Sequence, residues 1–194
     1  MSEPFRHRRV MVYGVTGSGK STLAARLSGI TGIAWHAIDD LMWEPGWVPV
    51  PAEEQRRIIT DLCAQDCWII DHGYGSWLDV PMGRADLVIG LDLPRWLSLA
   101  RLVRRSVLSV LGRRPICNGN IETWRTLLAR DSILVWHFRS FARKRARIRA
   151  WEKDSPGPAI LRFTGPRQLD AWLRSLSTAD ASGAHRPHPH RPQE

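Results

Sequence analysis

Residues 14–22 read Gly-Val-Thr-Gly-Ser-Gly-Lys-Ser-Thr, a complete match to the pattern G-x-x-x-x-G-K-[ST]. Glycine at three of these positions lets the backbone curl until several N–H groups point at one anion. The flanks suit the same purpose. Arg9 to Tyr13 (RVMVY) is a short apolar, β-branched run that predicts a buried strand. Lys20 to Ser28 predicts a helix with Leu23, Ala24 and Leu27 on one face. The start of that helix adds free N–H groups and the positive end of its dipole. Gly14, Val15, Thr16, Gly17, Ser18, Gly19, Lys20, Ser21 and Thr22 are therefore expected to cradle the phosphates of a nucleoside triphosphate. Lys20 would reach the β- and γ-phosphates, and the Ser21 hydroxyl would ligate Mg²⁺. The competing reading is a glycine turn followed by Lys-Ser by chance, and the strand before and helix after argue against it.

A chain of 194 residues with 43% hydrophobic and 24% charged content suits one globular α/β domain. No apolar run approaches the ~18 residues that span a bilayer. The first ten residues are basic with no apolar stretch, so no secretory signal and a cytoplasmic location are expected. Cys63, Cys67 and Cys117 match no zinc spacing and read as structural thiols. The net charge is +9, which predicts an acidic partner. Only Lys20, Lys144 and Lys153 are lysines, and the other 25 basic residues are arginine. Lys20 is the sole lysine in the first 143 residues, at the one place where a flexible point charge is needed.

Further strands are expected at Ile33 to Ile38, Cys67 to Asp71, Leu87 to Asp92 and Ala159 to Phe163. Helices are expected at Ala52 to Cys63, Arg95 to Leu111 and Gln168 to Leu176. Ile121 to Arg149 is helical in period but long, with a break expected at Asp131-Ser132. Leu41 to Pro51, with three prolines, excludes a regular helix or central strand. Strands alternating with helices predict an α/β sandwich: a five-stranded parallel sheet with helices on both faces. One domain over residues 1–176 and a polar, disordered tail over 177–194 are expected.

In such a sheet the ligand lies beyond the carboxyl ends of the strands. Asp71, after an apolar run, takes a Walker-B-like position and is a candidate to hold Mg²⁺, or else caps a turn. Asp39, at the end of the second expected strand, could position or deprotonate an acceptor hydroxyl, bind metal, or cap. Asp92 reads as a structural cap. Trp96, Leu99, Ala100, Val103, Val107 and Val110 share one side of the Arg95 helix, and Arg101, Arg104 and Arg105 the other. The arginine face leads into a loop with Arg113 and Arg114, then Arg125 and Arg130. This order suits a helical lid over about residues 105–130, whose arginines stabilise charge on a transferred phosphoryl group. The run Arg139 to Arg149 reads as a solvated helix face or as a nucleic-acid contact. Phe163-Thr164-Gly165-Pro166 is a candidate turn against a nucleotide base.

The loop GVTGSGKST resembles that of adenylate kinase and shikimate kinase relatives. The block Ile38-Asp39-Asp40-Leu41-Met42-Trp43-Glu44-Pro45-Gly46-Trp47 is similar to the D-x-L-x-W-x-P-x-W block of the topology-modulation proteins, which are adenylate-kinase-like P-loop ATPases. Ala85 to Trp96, Gly119 to Arg125 and Arg130 to Leu134 match as well, so the resemblance covers roughly residues 8–175 in order. It implies ATP and Mg²⁺, an acceptor region around Asp39 to Trp47, and a lid near Arg105 to Arg130. The chain departs after the third strand: the branch has Asp-Gly-Asn-Tyr where Asp71-His72-Gly73-Tyr74 stands here. Two functions follow. One is a kinase that moves the γ-phosphate of Mg-ATP to a nucleotide or small hydroxylated acceptor, with Lys20, Asp39, Asp71, Arg105, Arg125 and Arg130 as its catalytic set. The other is a nucleotide-dependent regulatory or DNA-associated ATPase with no small-molecule acceptor.

Overall fold

The computed structural model describes residues 5–72, 74–112, 118–121, 123–127, 129, 132–154 and 157–183. In chain order the elements are β1 (Arg9–Gly14), α1 (Lys20–Thr31), β2 (Trp35–His36), α2 (Ile38–Met42), β3 (Trp43–Glu44), β4 (Val48–Pro49), α3 (Ala52–Cys63), β5 (Trp68–His72), α4 (Asp79–Met82), β6 (Leu87–Leu91), α5 (Arg95–Gly112), α6 (Trp124–Leu127), α7 (Ile133–Asp154), β7 (Ala159–Phe163) and α8 (Pro166–Gly183).

The main sheet has five strands in the order β2-β5-β1-β6-β7, all parallel, as the alternation of strands and helices predicts. β1 is central. Its successive residues point to opposite faces and seed two cores. Val10 and Val12 pack with Leu23, Leu27, Ile89, Phe163 and Leu173, under α1 and α8. Met11 and Tyr13 pack with Ile38, Met42, Ile59, Trp77 and Ile148, under α2, α3 and α7. The β1 register places Val12 beside Asp71 and Gly14 beside Leu91, so the phosphate loop leaves the sheet between the ends of β5 and β6.

Several expectations need correction. The second strand is only Trp35–His36, and Ile38–Met42 is a short helix. Asp39 thus lies in the first turn of α2, not at a strand end. The cause is a long-range contact: the Ile38 N–H donates to Asp71 Oδ1 at 3.0 Å, which satisfies a free donor at the helix start. Leu41 to Pro51 contains the antiparallel hairpin β3–β4. The final helix continues to Gly183, so residues 177–183 are not a tail; residues 184–194 lie outside the described residues. The break before α7 is where it was expected: Val135 N–H donates to Ser132 Oγ at 3.4 Å.

α5 turns a different side inward than an apolar-face rule suggests. Its buried residues are Ser98, Leu102, Ser106 and Ser109, while Trp96 is 70% exposed. Small side chains let α5 approach the phosphate loop closely. A Cβ on Gly17 would stand 2.3 Å from the Ser98 carbonyl oxygen and 2.9 Å from Leu102 Cβ. Gly17 also has φ +78°, a region that side chains disfavour. Asp92, fully buried just past β6, receives Arg145, Arg149 and Arg162. It ties β6 to α7 and β7, in keeping with its structural reading. Cys63 is buried, and burial pushes its thiol up to about 12.

Candidate active site at the phosphate loop

The loop between β1 and α1 is held from outside by its carbonyls. Lys20 Nζ donates to Val15 O at 3.2 Å, Arg101 Nη1 to Ser18 O at 3.3 Å, and His137 Nδ1 lies 3.1 Å from Thr16 O. These donors come from α1, α5 and α7. With the carbonyls so engaged, N–H groups remain for a ligand. The Ser18 hydroxyl is buried against Gly14, with no hydrogen-bond partner among the described residues.

Below the loop, Asp71 joins three elements. Its Oδ2 accepts the Ser21 hydroxyl from α1, and its Oδ1 accepts the Ile38 amide from α2. Burial pushes the Asp71 carboxyl up; the Ser21 hydroxyl, the Ile38 amide and Lys20 oppose that, and Asp39 adds to it. Burial pushes the Lys20 amine down, countered by Asp39 and Asp71 and reinforced by Arg105. Lys20, Asp39, Asp71 and Arg105 therefore lie within electrostatic reach of one another around the loop.

A carboxylate and a hydroxyl in contact form a hard oxygen donor pair, which fits Mg²⁺. Among the described residues there is no group of three or more His, Cys, Asp or Glu that could hold a metal. The pair suits an ion that takes one or two protein ligands and the rest from phosphates and water. Ser21 and Asp71 are the residues that would hold it.

Asp39 is exposed on α2 and accepts the Tyr74 hydroxyl through Oδ1 at 2.9 Å. The same hydroxyl receives Trp43 Nε1 at 2.9 Å, and the Tyr74 ring stacks on buried Trp77. Tyr74, held by Trp43 of the hairpin and by Trp77, thus orients Asp39. Trp43 and Trp47 meet edge to face. Trp47, at φ +61°, donates its N–H to Asn120 Oδ1 at 2.8 Å, and Asn120 Nδ2 donates to Glu44 O at 3.0 Å. The hairpin is fastened to the segment that precedes α6.

The remaining candidates are more dispersed. Arg105 on α5 and Arg125 on α6 are exposed and bind no carboxylate among the described residues. Arg130 lies outside the described residues, as do Arg113 and Arg114. Thr164 is exposed on the turn after β7, where its N–H donates to Gln168 Oε1 at 3.2 Å. Val15 and Ser18 are buried in the loop, and Thr22 is exposed on α1.

The run Arg139 to Arg149 is not uniformly solvated. Arg145 and Arg149 bind Asp92, Arg147 Nη1 donates to Tyr13 Oη at 3.3 Å, and Lys144 is 4% exposed. Sequence reasoning missed the roles of Tyr74, Asn120, His137 and Lys144. For Asn120 the signal was present in the matched block Gly119 to Arg125, and for Tyr74 in the tyrosine that the otherwise divergent Asp71-His72-Gly73-Tyr74 segment retains. For Lys144 it was present in the scarcity of lysine.

The parallel sheet and its glycine loop define an α/β fold of the P-loop kinase type. Solved structures share it. A shikimate kinase from Acinetobacter baumannii in complex with shikimate is 12% identical, with 92% of this chain and 96% of that chain covered and a TM-score of 0.55. A gluconokinase from Sinorhizobium meliloti 1021 is 14% identical over 91% and 93%, with a TM-score of 0.50. A shikimate kinase from Bacteroides thetaiotaomicron is 15% identical over 91% and 99%, also at 0.50. At these identities the likeness is one of fold. No protein-family model matches the chain, and no curated protein matches it in sequence. Among the described residues no helix is long and apolar enough to cross a membrane.

Proposed function

We propose that the protein is a phosphotransferase that uses Mg-ATP to phosphorylate a hydroxyl of a small molecule. The observation that carries this reading is the contact of Ser21 with Asp71 directly under the glycine loop, with Lys20 and Asp39 within electrostatic reach of each other. The loop would hold the triphosphate, and Ser21 and Asp71 the metal, which screens the phosphate charge when bound. Asp39, oriented by Tyr74, would receive the acceptor's hydroxyl proton. The acceptor oxygen then bonds to the γ-phosphorus, the bond from that phosphorus to the β,γ-bridging oxygen breaks, and ADP leaves with that oxygen. Lys20 and arginines such as Arg105 and Arg125 would stabilise the charge in flight, with Arg130 as a further member of that set and Thr164 beside the base.

A single domain that α8 carries to Gly183, the lid over about 105–130 and a cytoplasmic location belong to the same proposal. So does membership of the topology-modulation branch, which the tryptophan hairpin and the order of the matched blocks support. The alternative of a DNA-associated ATPase draws on the net charge of +9, but Lys144, Arg145, Arg147 and Arg149 of the basic run have partners or positions inside the fold.

A panel of nucleotide and metabolite acceptors with Mg-[γ-³²P]ATP tests the reading. Label on at least one acceptor, lost in Lys20→Ala, is the expected result. ATP hydrolysis alone across the panel, or Lys20→Ala with unchanged nucleotide affinity, overturns it.

A further inference from the structure

Lys144 stands in the middle of the inward stripe of α7. His137, Ser140, Phe141, Lys144 and Ile148 are all buried, at helical spacing. Ile148 fixes the register of that stripe, since its Cγ2 comes within 2.5 Å of where a Cβ on Gly90 would lie. One turn earlier, Lys144 Nζ lies 5.9 Å from the centroid of the Tyr13 ring. Among the described residues it makes no hydrogen bond and no ion pair. Its one close contact is the Tyr13 ring face, which is a weaker partner for a buried ammonium than a counter-charge.

The surroundings make the deficit larger. Arg143 and Arg147 flank Lys144 on α7, Lys20 faces it from the loop, and Asp39 is the one carboxylate that offsets them. Burial and this excess of cations hold its amine down at about 7. An anionic group beside it would favour the charged amine and balance the surrounding cations.

Its position says which ligand. Tyr13 packs with Ile38, Met42 and Trp77, on the side of the sheet that carries α2 and Asp39. The phosphate loop and α1 are already supplied with Lys20 and Arg101. Lys144 is thus on the face of the sheet that carries Asp39 and within electrostatic reach of it, with Arg147 held nearby by Tyr13.

Resting on the phosphotransferase reading, we propose that the acceptor is a small anion whose carboxylate or phosphate binds Lys144 and Arg147 while its reactive hydroxyl faces Asp39. A neutral polyol or a nucleoside without phosphate would leave Lys144 unpaired and bind poorly. A charge-assisted contact of this kind supplies both affinity and register for the hydroxyl.

The test uses the full chain with its donor site occupied by Mg²⁺ and a non-hydrolysable ATP analogue. Glycerol, glycerate and glycerol 3-phosphate are then titrated by calorimetry or ligand-observed NMR. The three probes share hydroxyls and differ in charge, and the last two separate a carboxylate from a phosphate. The expected result is that at least one anion binds and glycerol does not. Lys144→Met should weaken that anion about tenfold or more, Lys144→Arg should retain most of the affinity, and both should bind the ATP analogue as the wild type does. Equal responses to the three probes, or an anion affinity unchanged in Lys144→Met, overturn the inference. So does a loss of ATP-analogue affinity in Lys144→Met, which would put Lys144 on the donor instead. Failure of the wild type to bind the ATP analogue would instead overturn the phosphotransferase reading on which the inference rests.

Discussion

The Ser21 hydroxyl donates to Asp71 Oδ2 beneath the glycine loop, and the other oxygen of the same carboxylate caps the start of α2. One side chain therefore links the phosphate site to the helix that carries Asp39. Asp71→Asn keeps the size and can still bond to Ser21, but it removes the negative charge. In the wild type, an ATP analogue at 100 times its Kd should raise stability by about 2.7 kcal/mol, and Mg²⁺ should strengthen that binding. In Asp71→Asn the Mg²⁺-dependent part of the stabilisation should vanish while binding without metal remains. Thermal unfolding with and without Mg²⁺ reads this directly. A variant that keeps the full metal effect would remove Asp71 from the metal site.

Gly17 allows α5 to sit on the loop. A methyl group there meets backbone atoms of Ser98 and the Leu102 side chain in a positive-φ conformation, so neither relaxation nor a rotamer change relieves it. Gly17→Ala should destabilise the chain by about 2 kcal/mol or more. It should also weaken triphosphate binding, because α5 brings Arg101 to the Ser18 carbonyl. Gly119→Ala serves as the control, since it has a positive φ of 86° but nothing within 4 Å of its added Cβ. Chemical denaturation of both variants should show the larger loss at position 17.

Asp92 gives the fold an acid-sensitive joint. Burial alone would raise its carboxyl, but Arg145 and Arg149 overcome this and hold it below the usual carboxylate range. The folded value is the lower one, so its contribution is complete above the ordinary carboxylate range and is lost as pH falls through the depressed value. Asp92→Asn should cost about 2 kcal/mol at pH 7, less than a fully buried pair because the three arginines are 26–55% exposed. The difference between wild type and variant should shrink toward pH 3. Urea denaturation at both pH values checks this.

Local pattern made much of this fold legible. The glycine loop, the apolar runs of β1, β5 and β6, and the Ala52–Cys63 helix depend on neighbours in sequence, and each lies within a residue or so of its expected place. What sequence reading missed depends on distant partners. α2 replaces a strand end because Asp71, 33 residues away, caps it. α5 buries serines instead of its apolar side because the loop demands close approach, which hydrophobicity does not report. Lys144 was hidden within a basic run whose members look alike in sequence. Their directions on α7 separate one that is buried beside Tyr13 from others that bind Asp92.

The depressed amine of Lys144 also predicts a pH dependence. Its folded value of about 7 lies below the usual lysine range near 10.5. Between these values the unfolded chain holds a proton that the folded chain does not, so stability rises with pH across that window. Lys20, also pushed down by burial, contributes with the same sign, while Asp39 opposes the shift and Arg143 and Arg147 deepen it. The wild type should therefore gain stability from pH 7 to pH 9.5 relative to Lys144→Met, in which the Lys20 contribution persists. An anion at Lys144 favours the charged amine, so its binding should take up a proton above pH 7 and weaken as pH rises. Calorimetric titrations in two buffers of different ionisation enthalpy should detect that proton in the wild type and not in Lys144→Met. Equal proton uptake in both proteins would assign the titration to Lys20.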